Sequence, residues 1–528
     1  MSDPLKADGL NSLSMRRMVY LVAAALIGFL VRAEYIAFHY ESLTSDDVVC
    51  SREIQFKTPP PNEKGISEFS PYTSEQIGSR FWIFQFFFLL AHRNIYFLPY
   101  FACLVNVFLY LLWAYILVHR TGRWVAGIPL MAFLALPPPW INCLGTTIGQ
   151  ARSCYLFGPL LILFAGSWFK NNFFVFSFGF FTIWACLEDP FSLFFLLPVL
   201  WFEVDSWKKH SGEKNWIRIP LITIGAGLAI ALFPRRIPWM VLYRNGYVHP
   251  GLGSCDQIQK HASLIWWAWP QYWFGRIPWG YLQNSALGRF LDPVSKPGWD
   301  GLLHVIFWFL LAITFAMVLK STFDKNEVKE TFLFCLPPVF FLAFFVFGNQ
   351  AWDALTLRYL GFWQFFIPIL LGLAAARAGT KIKKRFWVLV LSLWIGINTF
   401  FLAVRFTESP RPNPGQYLAV KLEQTGYQAG FCNYWASELI RYYSKDKVLM
   451  SSYDAAPISQ RAFAAAQMSR KIALVWIQGL DHPDRLPEVE RQIISLGYRP
   501  FQRIDFTGEG WSILGWEKQA SKPSKGRL

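Results

Sequence analysis

The sequence predicts a polytopic α-helical membrane protein of about eleven spans, followed by a C-terminal extracytoplasmic α/β domain. Three observations predict it. Hydrophobic residues fill 54% of the 528 positions and charged ones only 16%. Aromatics reach 18%, with 51 Phe and 25 Trp, far beyond an ordinary soluble core. Several apolar runs approach the ~20 residues that cross a bilayer as a helix, and short basic loops separate alternate runs, as the positive-inside rule requires. Alternation of the barrel kind is absent, and in lipid only helices or closed barrels satisfy every backbone polar group. The net charge of +16 is accounted for by those loops and by anionic lipid at the cytoplasmic surface, so it does not imply nucleic acid.

The first span, near Met18 to His39, follows Arg16 and Arg17, which place its start in the cytoplasm. No small-residue cleavage site follows, so it reads as an uncleaved anchor. Residues 51–80 are polar and Pro-rich, too polar to insert. Phe81 to Leu90 is too short to span and reads as an interfacial helix. The second span (Tyr96 to Val118) returns to the basic HRTGR. The third (Val125 to Leu136) ends at three prolines, which cannot continue a helix. The fourth (Cys154 to Phe169) and fifth (Phe173 to Leu187) form a pair, the latter ending on Glu188, Asp189 and Pro190. The sixth (Phe191 to Phe202) meets a lysine-rich loop, and the seventh is Ile219 to Phe233. Pro234 to Asp300 then stays outside and is rich in Trp and Arg, the composition of an interfacial belt. The eighth to eleventh spans are Leu302 to Leu319, Thr331 to Phe347, Leu360 to Ala376 and Trp387 to Val404, with the strongly basic RAGTKIKKR between the last two.

The odd number of spans puts the C-terminal segment outside. Residues 1–407 thus form the membrane domain and 408–516 the α/β domain, after the linker PRPNPG. Within it, GQYLAVKLEQTGY, ISQRAFAAAQMSRK and LPEVERQIISLGY read as helices, and KVLMSSYD and IALVWIQG as strands. The basic tail 517–528 reads as disordered. The eight cysteines show neither a CxxC pair nor zinc spacing. Cys103, Cys186 and Cys335 read as small hydrophobes, whereas Cys50, Cys143, Cys255 and Cys432 fall at or beyond the outer face, where a disulfide is compatible with the compartment. No N-x-Ser/Thr sequon occurs, which favours a bacterial over a secretory-pathway protein, and the expected location is the bacterial inner membrane.

The charges that call for explanation gather at the predicted outer face. Asp46 and Asp47 are adjacent in the first outer loop, ESLTSDDVVCSR, and each raises the other's cost of ionisation. Either they are solvated, with Asp46 suited to cap a following helix, or they form a general base and its orienting partner. Asp47 is also placed to contact an acceptor or a divalent metal, though the sequence requires none. Glu188 and Asp189 end an apolar span, where acids oppose the helix dipole. Arg358 is either an interfacial snorkelling residue or a phosphate ligand. Arg52 pairs with the acids nearby or assists them. Trp266, Trp267 and Trp269 read as a membrane-interface belt, with sugar stacking as the alternative.

In this arrangement the chain resembles the GT-C superfamily of polytopic glycosyltransferases, near the bacterial protein mannosyltransferases and aminoarabinose transferases. The acidic loop SDDVVCSREI stands where such enzymes carry an Asp-Glu pair, with Asp47 replacing the commoner Glu. Arg358 and Tyr359, in RYLGFWQFFIP, resemble the start of their recurring RY-x-x-x-x-x-P stretch, with eight residues here before Pro368, and Phe81 to Leu90 resembles their juxtamembrane helices. GFCNYWASELIRYYS is similar to the soluble domain of some bacterial members. The resemblance implies transfer of a sugar from a polyprenyl-phosphate donor to a glycan, lipid or protein acceptor. Asp46 and Asp47 are then the catalytic pair, and Glu188, Asp189, Arg358, Tyr359 and Arg52 bind substrate. The alternatives are a transporter or flippase of a lipid-linked glycan, and a glycan polymerase or ligase. A transporter places ionisable groups near the bilayer midplane and often shows a repeated half. The spans read as almost free of such charge, and no repeat is visible.

Overall fold

The structure is a computed structural model, and the residues it describes are 15–38, 90, 97–139, 154–209, 215–232, 251–274, 299–325, 327–349, 360–407, 414–453, 460–477, 486–506 and 511–519. It is a bundle of apolar helices followed by a small mixed sheet. The bundle opens with α1 (Met15–Phe38) and α2 (Leu98–Thr121), and a 3₁₀ turn (Trp124–Gly127) leads into α3 (Ile128–Ala135). Next come α4 (Cys154–Leu163), α5 (Asn172–Glu188), a 3₁₀ turn (Pro190–Ser192), α6 (Leu193–Lys209) and α7 (Asn215–Leu232). A short helix α8 (Cys255–Ser263), a π turn (Leu264–Ala268) and α9 (Trp269–Trp273) precede α10 (Trp299–Lys325), α11 (Val328–Phe347), α12 (Trp363–Arg377) and α13 (Lys381–Thr407). Five helices, α1, α2, α10, α11 and α13, are long and apolar enough to cross a membrane, and six shorter apolar helices accompany them. The chain is a multi-pass helical membrane protein.

The sequence dictates which faces are buried. On α1, Met18, Val19, Val22, Leu26 and Leu30 are exposed, as lipid-facing residues are, while Arg32, Tyr35 and Ile36 turn inward. By contrast α12 is buried along its whole length, as a helix apolar all round should be. Small residues let backbones touch where no hydrophobic force drives helices together. A Cβ at Gly179 of α5 would strike the carbonyl oxygen of Ile222 on α7, and one at Gly225 would strike that of Phe176.

One end of the bundle is fastened by charge. Arg120 forks onto Glu330 at 2.7 and 3.2 Å. Arg377 donates to Glu327 at 2.6 Å and to the hydroxyls of Thr322 and Thr331 at 2.9 and 2.7 Å. Arg123 donates to the carbonyl of Ala376, and Arg17 lies over the Trp124 ring at 5.7 Å. This basic end fixes a reference level for depth. Measured from Arg377, the 15-residue α12 reaches only about 22 Å, short of the ~30 Å hydrocarbon core. It is thus shorter than the long spans around it.

The C-terminal elements are α14 (Pro414–Gln424), β1 (Ala429–Cys432), α15 (Tyr434–Tyr443), β2 (Leu449–Ser452), α16 (Gln460–Met468), β3 (Lys471–Ile477), α17 (Leu486–Ser495), β4 (Tyr498–Phe506) and β5 (Trp511–Lys518). The strand order is β2-β1-β3-β5-β4. The first three strands are parallel and β5 runs antiparallel between β3 and β4. β3 is buried from its second residue on, as an unbroken apolar run flanked by helices requires. Two cores form on opposite faces, one around Leu418, Ile440 and Val475, the other around Leu474, Val489 and Trp516. Arg441 is fully buried and held by Glu438 at 2.9 Å and Asp446 at 3.3 Å. Cys432 is buried within β1 and Cys255 is an exposed thiol at the start of α8.

Candidate functional site

Away from the basic end, several helices end or turn. α3 ends at Ala135, before Pro137, Pro138 and Pro139. α4 starts at Cys154, and its 10 residues span only about 15 Å from the turn beside Arg120. α5 turns into α6 through Asp189 and Pro190, and α12 starts at Trp363. Non-helical backbone in a membrane is tolerated only where it is buried in protein or lines a cavity, because lipid offers no hydrogen bonds. Each break thus needs a side chain to complete it.

Three buried side chains do so. The carbonyl of Leu134 would normally bond the N–H four residues on, but that residue is Pro138. Arg32 Nη1 donates to it instead, at 2.8 Å, and to Gly28 of its own helix at 2.7 Å. The carbonyl of Gln364 faces Pro368 in the same way, and the Tyr110 hydroxyl donates to it at 3.1 Å. Asp189 Oδ1 accepts from Phe191 N at 3.1 Å and caps the 3₁₀ turn. Its charge therefore sits at the start of a new helical turn, where the dipole favours it. This resolves the apparent mismatch of an acid at the end of α5.

Nothing in the sequence alone singles out Arg32. It lies in the first span, about 22 Å along α1 from Arg17, and its side chain folds back one turn toward Gly28. The guanidinium lies within the apolar span and is wholly buried. Its Nε and Nη2 have no hydrogen-bond partner among the described residues, and its other neighbour is the Tyr110 ring at 5.7 Å. Cys103, Asn106 and Tyr110 share one face of α2 beside it. Asn106 Nδ2 donates to Gln364 Oε1 at 3.4 Å, and Asn106 Oδ1 is unpartnered. The first span, read as almost free of charge, thus carries one fully buried arginine. The signal was present as a basic residue inside an apolar run, but sequence does not give depth or facing.

Of the residues read as site residues, Asp46, Asp47, Arg52, Arg358 and Tyr359 lie outside the described residues, as do positions 81–89 of the interfacial run. Glu188 is the last residue of α5 and Asp189 is buried. The tryptophan belt divides. Trp266 and Trp267 are half-exposed, whereas Trp269 and Trp273 are buried in the bundle. Trp269 packs edge-on against Trp363, and Trp273 Nε1 donates to Asn398 at 3.2 Å. His304 stacks on Trp267, and Trp266 stacks on Trp308. The expected belt thus includes two core residues. Among the described residues no group of three His, Cys, Asp or Glu side chains could hold a metal ion.

No family model matches the chain, and no curated protein matches it by sequence. Solved structures do. The apo oligosaccharyltransferase of Archaeoglobus fulgidus aligns over 88% of this chain and 70% of its own, with a TM-score of 0.50 and 12% identity. Apo ArnT from Cupriavidus metallidurans aligns over 96% and 98%, at a TM-score of 0.40 and 12% identity. The chain thus shares its polytopic helical fold with the oligosaccharyltransferase.

Proposed function

We propose that the protein is a membrane glycosyltransferase that moves a sugar from a polyprenyl-phosphate-linked donor to an acceptor at the outer face of the membrane. The observation that carries this reading is the fold it shares with an oligosaccharyltransferase across 88% of its length. In this reading the acceptor oxygen attacks the anomeric carbon as the bond to the donor phosphate breaks. Asp46 takes the acceptor proton and Asp47 orients it. Arg358, with Tyr359 and Arg52, stabilises the leaving phosphate, and Glu188 and Asp189 contact substrate. The basic end faces the cytoplasm of a bacterial inner membrane, and the sheet domain lies outside. Residues 1–407 form the catalytic unit.

Asp46→Asn is expected to abolish transfer in a reconstituted assay with lipid donor while leaving insertion unchanged. Wild-type turnover would refute the base. Arg358→Ala is expected to weaken donor use more than acceptor use, and a change confined to acceptor dependence would remove its phosphate role. A transporter of lipid-linked glycan is the second reading, favoured by Arg32 and the broken helices. Formation of glycosylated acceptor in detergent, where there are no compartments, separates the two, since transport alone yields none.

A further inference from the structure

Where α3 ends and α4 and α12 begin, positive character gathers around Arg32, while the buried carboxylate of Asp189 is engaged at the turn into α6. Arg32 contributes a full charge. The N-termini of α4, with 10 residues, and α12, with 15, direct their positive dipole ends into the same region. The two helices are neighbours there, with Tyr155 of α4 packed against Phe362 and Phe365. Donors also outnumber acceptors. Among the described residues, Arg32 Nε and Nη2 and the indole N–H groups of Trp113 and Trp363 are buried without partners, against the acceptor Asn106 Oδ1 and the Ser192 hydroxyl. A guanidinium removed from water and left half-satisfied is costly unless paired with an anion. No carboxylate is bonded to it among the described residues.

The geometry of the guanidinium narrows the ligand. Nη1 is committed to the two carbonyls that lock α1 to the end of α3. The remaining Nε–Nη2 edge is the fork that binds two oxygens of one planar or tetrahedral oxyanion. A phosphate brings several acceptors and no obligatory donor, the complement of what this region lacks. We infer that Arg32 anchors a phosphate seat inside the bundle, lined by Asn106, Tyr110 and Gln364, which takes the phosphate of a lipid-borne ligand. The inference rests on the glycosyltransferase reading for the identity of that ligand as the released lipid-phosphate carrier, since during transfer the donor phosphate is assigned to Arg358. The seat itself rests on Arg32 and the helix ends.

The test uses the full-length protein in non-ionic detergent, with binding followed by tryptophan fluorescence. The probes are farnesyl phosphate, farnesol and inorganic phosphate. Arg32→Lys keeps a donor for the Leu134 carbonyl but loses the fork, and Arg32→Gln removes the charge. Lys381→Gln, at an exposed position, is the control. Wild type and Lys381→Gln are expected to bind farnesyl phosphate alike. Arg32→Lys is expected to lose at least 10-fold in affinity with its unliganded unfolding temperature retained, and Arg32→Gln to lose more. Farnesol is expected to bind all variants equally and weakly. Competition by inorganic phosphate at similar concentration would assign the seat to free phosphate, whereas no competition assigns it to a lipid-borne one. Unchanged affinity in Arg32→Lys would overturn the seat and leave Arg32 a clamp between α1 and α3. Arg32-dependent binding without any sugar transfer by wild type would retain the seat and end the glycosyltransferase reading.

Discussion

At the scale of single residues, the bundle is completed by side chains that replace hydrogen bonds which proline removes. Tyr110 shows this most simply, because its hydroxyl serves the carbonyl that Pro368 cannot reach. Tyr110→Phe is expected to destabilise the protein by about 1–3 kcal/mol, the penalty for a buried acceptor left unmet. In the double variant with Pro368→Ala the new backbone N–H bonds Gln364, and most of the loss should return. Thermal unfolding of the four proteins in detergent decides this, and additive losses would show that the hydroxyl acts otherwise. Tyr498 plays a comparable part in the sheet domain. Its hydroxyl meets the carbonyls of Ala466 and Ser469 at 2.7 and 2.6 Å and closes the end of α16. Burial raises its pKa above the ordinary value of 10.0, as it does for Tyr427. The folded state then holds a proton that the unfolded chain gives up. The stabilisation is complete below the unfolded pKa and is lost as pH climbs through the folded one. Labelling of the buried Cys432 thiol in wild type and Tyr498→Phe checks this. Wild type should be the better protected at pH 8, and the advantage should shrink above pH ~10.

Helices and strands were the part of the structure most legible in the sequence, and the reasons are local. Long apolar runs have one outcome in lipid, so the apolar helices and their order follow from hydropathy, though α3, α4 and α12 are shorter than full spans. Pro137 to Pro139 mark the end of α3, and the apolar run of β3 predicts a buried strand. Facing and depth are not local. Arg32 passes for an incidental charge until α3 is seen to end beside it, and Trp269 looks like its exposed neighbour Trp267 until it is packed on Trp363. Asp189 opposes a dipole if assigned to α5 and suits one if assigned to the next turn, a distinction that needs backbone geometry. The acidic loop and Arg358 carry the chemistry of the proposed site by resemblance, beyond the described residues. Glycine gives a test of the helix crossings. Gly179→Ala places a methyl against the backbone of α7 and is expected to cost about 1–3 kcal/mol. Gly227, on α7 but with open space at its Cβ, should accept alanine with a gain of about 0.5–1 kcal/mol. Equal effects in thermal unfolding would mean that α5 and α7 are not in backbone contact.

The molecule as a whole is unlike at its two ends. One is closed by arginines bonded across α2, α10, α11 and α12. The other is where helices break and α8 and α9 lie against the bundle, with His261 Nδ1 beside the Val346 carbonyl at 3.1 Å. The ion pairs hold the closed end unequally. Arg377 is almost wholly buried, whereas the Glu327 side chain is 44% exposed. Removing Glu327 therefore strands a buried cation that already has one unpartnered nitrogen. Removing Arg377 only returns an exposed carboxylate to water and leaves Thr322 and Thr331 bonded to each other at 2.8 Å. Stranding the buried member of a pair is the costlier change. Glu327→Gln is accordingly expected to destabilise by about 2 kcal/mol and Arg377→Met by less, the reverse of what burial alone suggests. Unfolding midpoints in detergent at low and high salt measure both. A larger loss in Arg377→Met would show that the arginine holds α12 through its packing rather than its charge.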